Sequence, residues 1–183
     1  MLIEEYNDDF EMIVVEIVVA NKEIRLITGN GPQENLSEME RMPFFLALEQ
    51  EVIRAESAGK SIFIAMDANS KLGPELIPSD PHARTPNGQI IADIMVRHGL
   101  TVVNGMEDKC DGTVTRRRVT KDGTEESAID LVIVSDDLES VVDSLLIDEN
   151  RKYVLTKMLT NLNFPCFKIP SRKMSRLNNH TRQ

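Results

Sequence analysis

The sequence contains no run of about 18 apolar residues, which excludes a transmembrane helix. Its opening, Met1-Leu2-Ile3-Glu4-Glu5, lacks a basic segment and turns acidic at once, unlike a secretory signal. Cysteine is scarce: Cys110 and Cys166 cannot build a disulfide framework or a four-cysteine metal site, and they read as free thiols in a reducing, intracellular compartment. Acidic residues are missing from one stretch only. Residues 1–150 hold 13 Lys and Arg against 30 Asp and Glu, a net −17, whereas residues 151–183 hold 8 basic residues and no acid. An acidic body does not grip nucleic acid by bulk charge, although a basic tail could.

What remains is ordinary for a globular chain: 183 residues, 20.6 kDa, 41% apolar and 28% charged, enough for one domain with its own core. Met12–Val19 is apolar and β-branched, Asn21-Lys22 marks a turn, and Glu23–Thr28 alternates with period two; together they read as a hairpin that stops in a loop at Gly29-Asn30-Gly31-Pro32. Ser37-Glu38-Met39-Glu40 fits a capping box. A regular helix is expected from Pro43 to Ala58, because proline is tolerated only near a helix start. Ser61–Met66 reads as a buried strand ending at Asp67, followed by a proline-rich loop over Leu72–Asn87. A second helix spans Gly88–His98, and Leu100–Val103 resumes strand. Gly112–Val119 and Ala128–Val134 read as a strand pair around Lys121-Asp122-Gly123, with Val141–Ile147 as a last strand. The class is therefore α/β (α+β), sheet-dominated, with an ordered unit over 12–149 and a basic, structureless tail over 150–183.

Two groups of polar residues sit where rigid strands would hold them. Asp67 and Asn69 follow a buried strand, and a spacing of two puts both side chains on one side of an extended chain. Together a carboxylate and an amide can orient a water and hydrogen-bond a phosphate oxygen; the plainer alternative is an Asx turn closing the strand. Ser127 and Asp130 form the second group. Asp130 interrupts the apolar run Ile129–Val134, so it either faces a solvated cleft, orients another polar group, or lies on an edge strand facing solvent.

Met66-Asp67-Ala68-Asn69 resembles the Gly-Asp-Phe-Asn motif of the endonuclease/exonuclease/phosphatase superfamily, and Ser127-Ala128-Ile129-Asp130 with Val134-Ser135 resembles its downstream Ser/Arg-x-Ile/Leu-Asp strand. Asn87-Gly88 and Gly99-Leu100-Thr101-Val102-Val103-Asn104 are similar to the spacer of retrotransposon (LINE-type) endonucleases. Gly31-Pro32 resembles their Tyr-x-Pro element, and Gly112–Arg116 stands where that group has a threonine-bearing strand. The resemblance implies a two-sheet β-sandwich flanked by helices that hydrolyses DNA or RNA phosphodiesters with a divalent metal, an oxygen-liganded Mg²⁺ being expected. It implies Asp67 as base or orienting group for water, Asn69 as a hydrogen-bond donor to phosphate, Asp130 as a supporting polar residue, and Thr115 and Ser127 as substrate contacts.

The same resemblance calls for a metal-ligating Glu on an early strand and for a Ser-Asp-His motif. Glu4, Glu5, Asp8, Asp9 and Glu11 read as a short acidic lead, Ser79-Asp80-Pro81-His82 falls in the proline loop, and Ser135-Asp136-Asp137 lacks the histidine. His98 reads as complementing a helix dipole, His82 as solvated, and His180 as part of the tail. The expectation is a partial domain, weakly active or inactive alone, that is soluble as an oligomer or with a completing chain. The competing readings are a non-catalytic binding or scaffold module, and a nucleic-acid binder acting through its basic tail.

Overall fold

The computed structural model describes residues 4–7, 11–19, 21–112, 114–121, 123–147, 153–158 and 167–170. The largest sheet has six strands: β1 (Glu4–Asn7), β2 (Met12–Val19), β3 (Lys22–Asn30), β4 (Ser61–Asp67), β5 (Leu100–Val102) and β9 (Asp130–Ser135), in the spatial order β1-β2-β3-β4-β9-β5. Within this sheet, among the described residues, β3–β4 is the parallel pairing, and its crossover is helix α1 (Glu38–Ser57). A second sheet runs β12-β11-β10-β6, formed by β6 (Cys110–Asp111), β10 (Val142–Ile147), β11 (Tyr153–Met158) and β12 (Phe167–Pro170). A separate hairpin pairs β7 (Arg116–Thr120) with β8 (Gly123–Ser127).

Side-chain alternation gives the large sheet two buried faces. Ile62, Ile64, Met66, Leu131 and Ile133 point into a core with Phe44, Phe45, Leu48 and Val52 of α1 and Ile91, Ile94 and Met95 of α2 (Pro86–Arg97). Phe63, Ala65, Val132 and Val134 point the other way, into a core with Val142, Leu145 and Ile147 of β10 and Leu138 of the short helix α3 (Asp136–Glu139). β4 and β9 are therefore apolar on both faces, as strands in the middle of a layered fold must be. The architecture is a helix-flanked two-sheet sandwich, as expected.

The boundaries moved for identifiable reasons. α1 begins at Glu38, with the Glu40 carboxylate accepting from Ser37 N (2.9 Å) and Ser37 Oγ (2.7 Å), and it carries Pro43 inside its second turn. α2 begins at Pro86, whose missing N–H costs nothing at a first helical position, and Thr85 Oγ1 accepts from Gly88 N. β3 continues through Asn30 because its parallel partner runs to Asp67. The hairpin around Lys121 pairs Arg116–Thr120 with Gly123–Ser127; Asp130–Ser135 leaves it and enters the main sheet between β4 and β5. Two corrections concern the ends. Glu4–Asn7, expected in a short acidic lead, is a strand paired with β2. Tyr153–Met158 and Phe167–Pro170, expected in a structureless tail, are strands added to β10. The rest of 150–183, with Cys166 and His180, lies outside the described residues; Cys110 is a free thiol. Among the described residues no helix is long and apolar enough to cross a membrane.

Candidate active site

Three central strands end in polar residues at one level. Asn30 on β3 is the register partner of Asp67 on β4, and Asp67 is the partner of Asp130 on β9. By alternation all three continue the face that Ile24, Phe63, Ala65, Val132 and Val134 fill with apolar atoms farther along. The polar row therefore sits where the inter-sheet core stops. β9 is interior to the sheet, which rules out the solvent-facing edge position for Asp130.

Asn69 joins this row by a turn, not by extended spacing. Its φ of +46° lies in the left-handed region that asparagine tolerates better than most residues, and its N–H donates to Asp67 Oδ1 at 3.0 Å. The Asx turn and the polar site thus coexist. Asn69 Nδ2 donates to Gly31 O (2.8 Å) and to Asn30 Oδ1 (3.0 Å), while Gln33 Nε2 donates to Asn69 Oδ1 (3.2 Å). Asn30 Nδ2 in turn donates to Glu11 Oε2 (2.9 Å). Glu11, at the foot of β2, is therefore linked to the row through Asn30. Sequence reading missed Asn30, Gln33 and Glu11. The signal for Asn30 was the hairpin register, which becomes informative only once β3 is known to run beside β4.

Burial pushes Asp67 upward from the ordinary carboxylate range, offset by the Asn69 N–H and by the nearby positive charge of Arg116. Asp130 is pushed to about 6, chiefly by burial and then by the Asp67 charge beside it; the Thr115 hydroxyl and a backbone N–H pull the other way. Two neighbouring carboxyl groups are thus desolvated together, a condition more common at reacting centres than elsewhere.

Thr115 and Ser127 stand beside this pair. Thr115 Oγ1 accepts from the N–H groups of Ile129 (2.8 Å) and Asp130 (3.0 Å), and Thr115 N donates to Ser127 O at 3.1 Å. Ser127 itself is buried. Asn104, from the turn after β5, completes the surroundings: its Nδ2 donates to Asp130 O (3.1 Å) and its Oδ1 accepts from Val132 N (2.8 Å), replacing a strand where β5 has ended.

The two described histidines, His82 and His98, are engaged by other partners. His82 is half-buried, not free in solvent: a ring nitrogen lies 2.7 Å from Glu126 O, and its N–H donates to Asp80 Oδ1. The buried Asp80 also accepts from Ala128 N, which docks the proline loop against the β8–β9 junction. His98 at the end of α2 bonds Glu49 and Glu56 of α1. Among the described residues no three His, Cys, Asp or Glu side chains converge as a metal site. The described residues therefore do not supply a three-ligand set for the Mg²⁺ that the sequence resemblance implies.

Three solved structures share this architecture. The endonuclease domain of TRAS1, a telomere-specific non-LTR retrotransposon, superposes with a TM-score of 0.57 at 17% identity over 81% of this chain and 63% of its own. The 3′ phosphatase NExo from Neisseria, bound to a product DNA hairpin, gives 0.52 at 16% identity over 80% and 64%. An endonuclease/exonuclease/phosphatase family protein from Leptotrichia buccalis C-1013-b gives 0.50 at 11% identity over 82% and 50%. The chain has the endonuclease/exonuclease/phosphatase fold. It spans less than two thirds of the length of each of these three structures. No family model matches the sequence. No curated protein matches it either.

Proposed function

We propose that the chain is a phosphodiester-directed domain of the endonuclease type, akin in role to the endonuclease domains of mobile elements and acting on DNA or RNA inside the cell. The observation that carries this reading is the side-by-side placement of Asp67 and Asp130, with Asn69 turned back onto Asp67, at the end of a nuclease-like sandwich. In this reading Asp67 orients or deprotonates the attacking water. Asn69 Nδ2 exchanges its bond to Asn30 Oδ1 for one to a phosphate oxygen, and Asp130 keeps the carboxyl pair in the protonation state the reaction needs. Any divalent cation of the Mg²⁺ type would take its ligands from a completing chain or a second copy and would neutralise charge on the phosphate. Activity of the chain alone is then weak.

Plasmid nicking with Mg²⁺ or Mn²⁺ tests this reading. Slow, metal-dependent nicking that Asp67→Ala abolishes is the expected result; nicking that survives Asp67→Ala contradicts it. A second reading, a non-catalytic binding or scaffold module, is favoured by the absence of a convergent ligand set among the described residues. No nicking by either protein, with retained binding to a DNA oligonucleotide, is the outcome that selects it.

A further inference from the structure

We infer that Thr115 is the positioning residue for Asp130: its hydroxyl fixes the corner from which β9 starts and so aims the Asp130 carboxyl at Asp67. Taking Asp130 as part of a reacting centre rests on the function proposed above; the geometry of the corner does not.

A threonine hydroxyl offers two lone pairs and one proton. Both lone pairs of Thr115 are used, on the consecutive N–H groups of Ile129 (2.8 Å) and Asp130 (3.0 Å). These lie at the junction where the chain leaves β8 and enters β9: Asp130 N is the first amide of β9, and Ile129, whose carbonyl accepts from Ala68 N (2.7 Å), precedes it. The proton is left for Ser127 O, at a long 3.5 Å, or for the Asp130 carboxylate, which the hydroxyl stabilises. Thr115 N is tied to Ser127 O at 3.1 Å, so the threonine cannot swing away. Asn104 in turn donates to Asp130 O and accepts from Val132 N. The backbone of Asp130 is thus held at both its N–H and its C=O by side chains from other elements, and the carboxyl it carries stands beside that of its register partner Asp67. The hydroxyl expected from the sequence to meet a phosphate is engaged by the protein itself.

The test follows the Asp130 side-chain carboxyl by carbon NMR through a pH titration, in the full chain and in Thr115→Ser and Thr115→Val, with thermal melts alongside. The groups that set this titration are Asp67 on β4, Thr115 before β7 and, acting on Asp67, Arg116 on β7. Thr115→Ser keeps the hydroxyl and is expected to keep the native midpoint. Thr115→Val loses a hydrogen bond to a charged group, which should raise the midpoint by roughly one unit. Thr115→Cys, of similar size but a poor acceptor, takes the place of valine should that variant not fold, and is expected to move the midpoint in the same direction. An unchanged midpoint in Thr115→Val or Thr115→Cys, with only the melting temperature lowered, overturns the proposal by showing a purely structural threonine. So does a Thr115→Ser protein that behaves like valine. A chain without nicking activity sinks the proposed function and leaves this titration standing.

Discussion

Asp67 and Asp130 are direct register partners, the last pair in the antiparallel ladder between β4 and β9. Opposed side chains on neighbouring strands lie close enough to interact strongly, and like charges in that position destabilise the sheet. Nothing in the apolar layers on either side compensates the pair. Its compensation is local: the Asn69 N–H and Arg116 charge at Asp67, the Thr115 hydroxyl and a backbone N–H at Asp130. A fold that keeps such a pair at the end of its core tolerates a stability cost there.

That cost is measurable. Asp130 titrates at about 6 in the folded chain, above the ordinary carboxylate value it regains on unfolding. Between those two values the folded state binds more protons than the unfolded state, so this group makes stability fall as pH rises from about 4 to 6, with the full penalty present above 6. Asp130→Asn should therefore stabilise the chain at pH 7.5, by about 3 kcal/mol, and give little gain at pH 4. Urea denaturation at both pH values checks this; an equal effect at both would remove Asp130 as a strained, buried acid.

Gly31 makes a second prediction. A Cβ there would lie 2.7 Å from Ala68 O, in the turn that carries Asn69. The backbone of Gly31 also donates to Asp67 O (2.6 Å) and accepts from Asn69 Nδ2 (2.8 Å). Gly31→Ala should cost about 1–3 kcal/mol and displace Asn69, so that any Asp67-dependent nicking falls with it. A variant of native stability and unchanged activity would show that this close approach is unimportant.

Much of the fold could be read from residue patterns because the central strands are short, apolar and bounded by clear turns: Ser61–Asp67 and Met12–Val19 needed no tertiary information. Asp67 and Asp130 stood out as carboxylates adjoining or interrupting such runs. Asn69 stands out by its position two residues after Asp67 and by its place in a motif, but its orientation depends on a left-handed backbone that spacing does not reveal. Thr115 and Asn104 carry out their work on Asp130 from other elements, so their bonds exist only after the sheet is assembled. The strands at 153–158 and 167–170 were missed because they lie in a stretch without acids or clear period, and pairing with β10 supplies what local pattern does not.

The ion pairs under α1 allow a test of the packing. Arg25 is buried on β3; its Nε donates to Glu51 Oε2 at 3.0 Å, and its Nη1 lies 2.6 Å from Glu16 Oε1. Arg25→Met takes one partner from the buried Glu51 carboxylate, which keeps Arg54 (2.6 Å), and should cost about 1–3 kcal/mol. The double change Arg25→Met with Glu51→Leu should recover most of that loss, measured as a double-mutant cycle in urea. Additive losses would mean that the two side chains do not act as a unit.

The central claim is that Asp67 and Asp130 form one coupled carboxyl pair at the end of the sandwich. Carbon NMR titration of Asp130 in the native chain and in Asp67→Asn tests it most directly. The expected native midpoint is near 6, with a clear fall once the neighbouring charge is gone and burial alone holding it above the ordinary range. An Asp130 midpoint that is ordinary in the native chain, or that ignores Asp67→Asn, would contradict the claim.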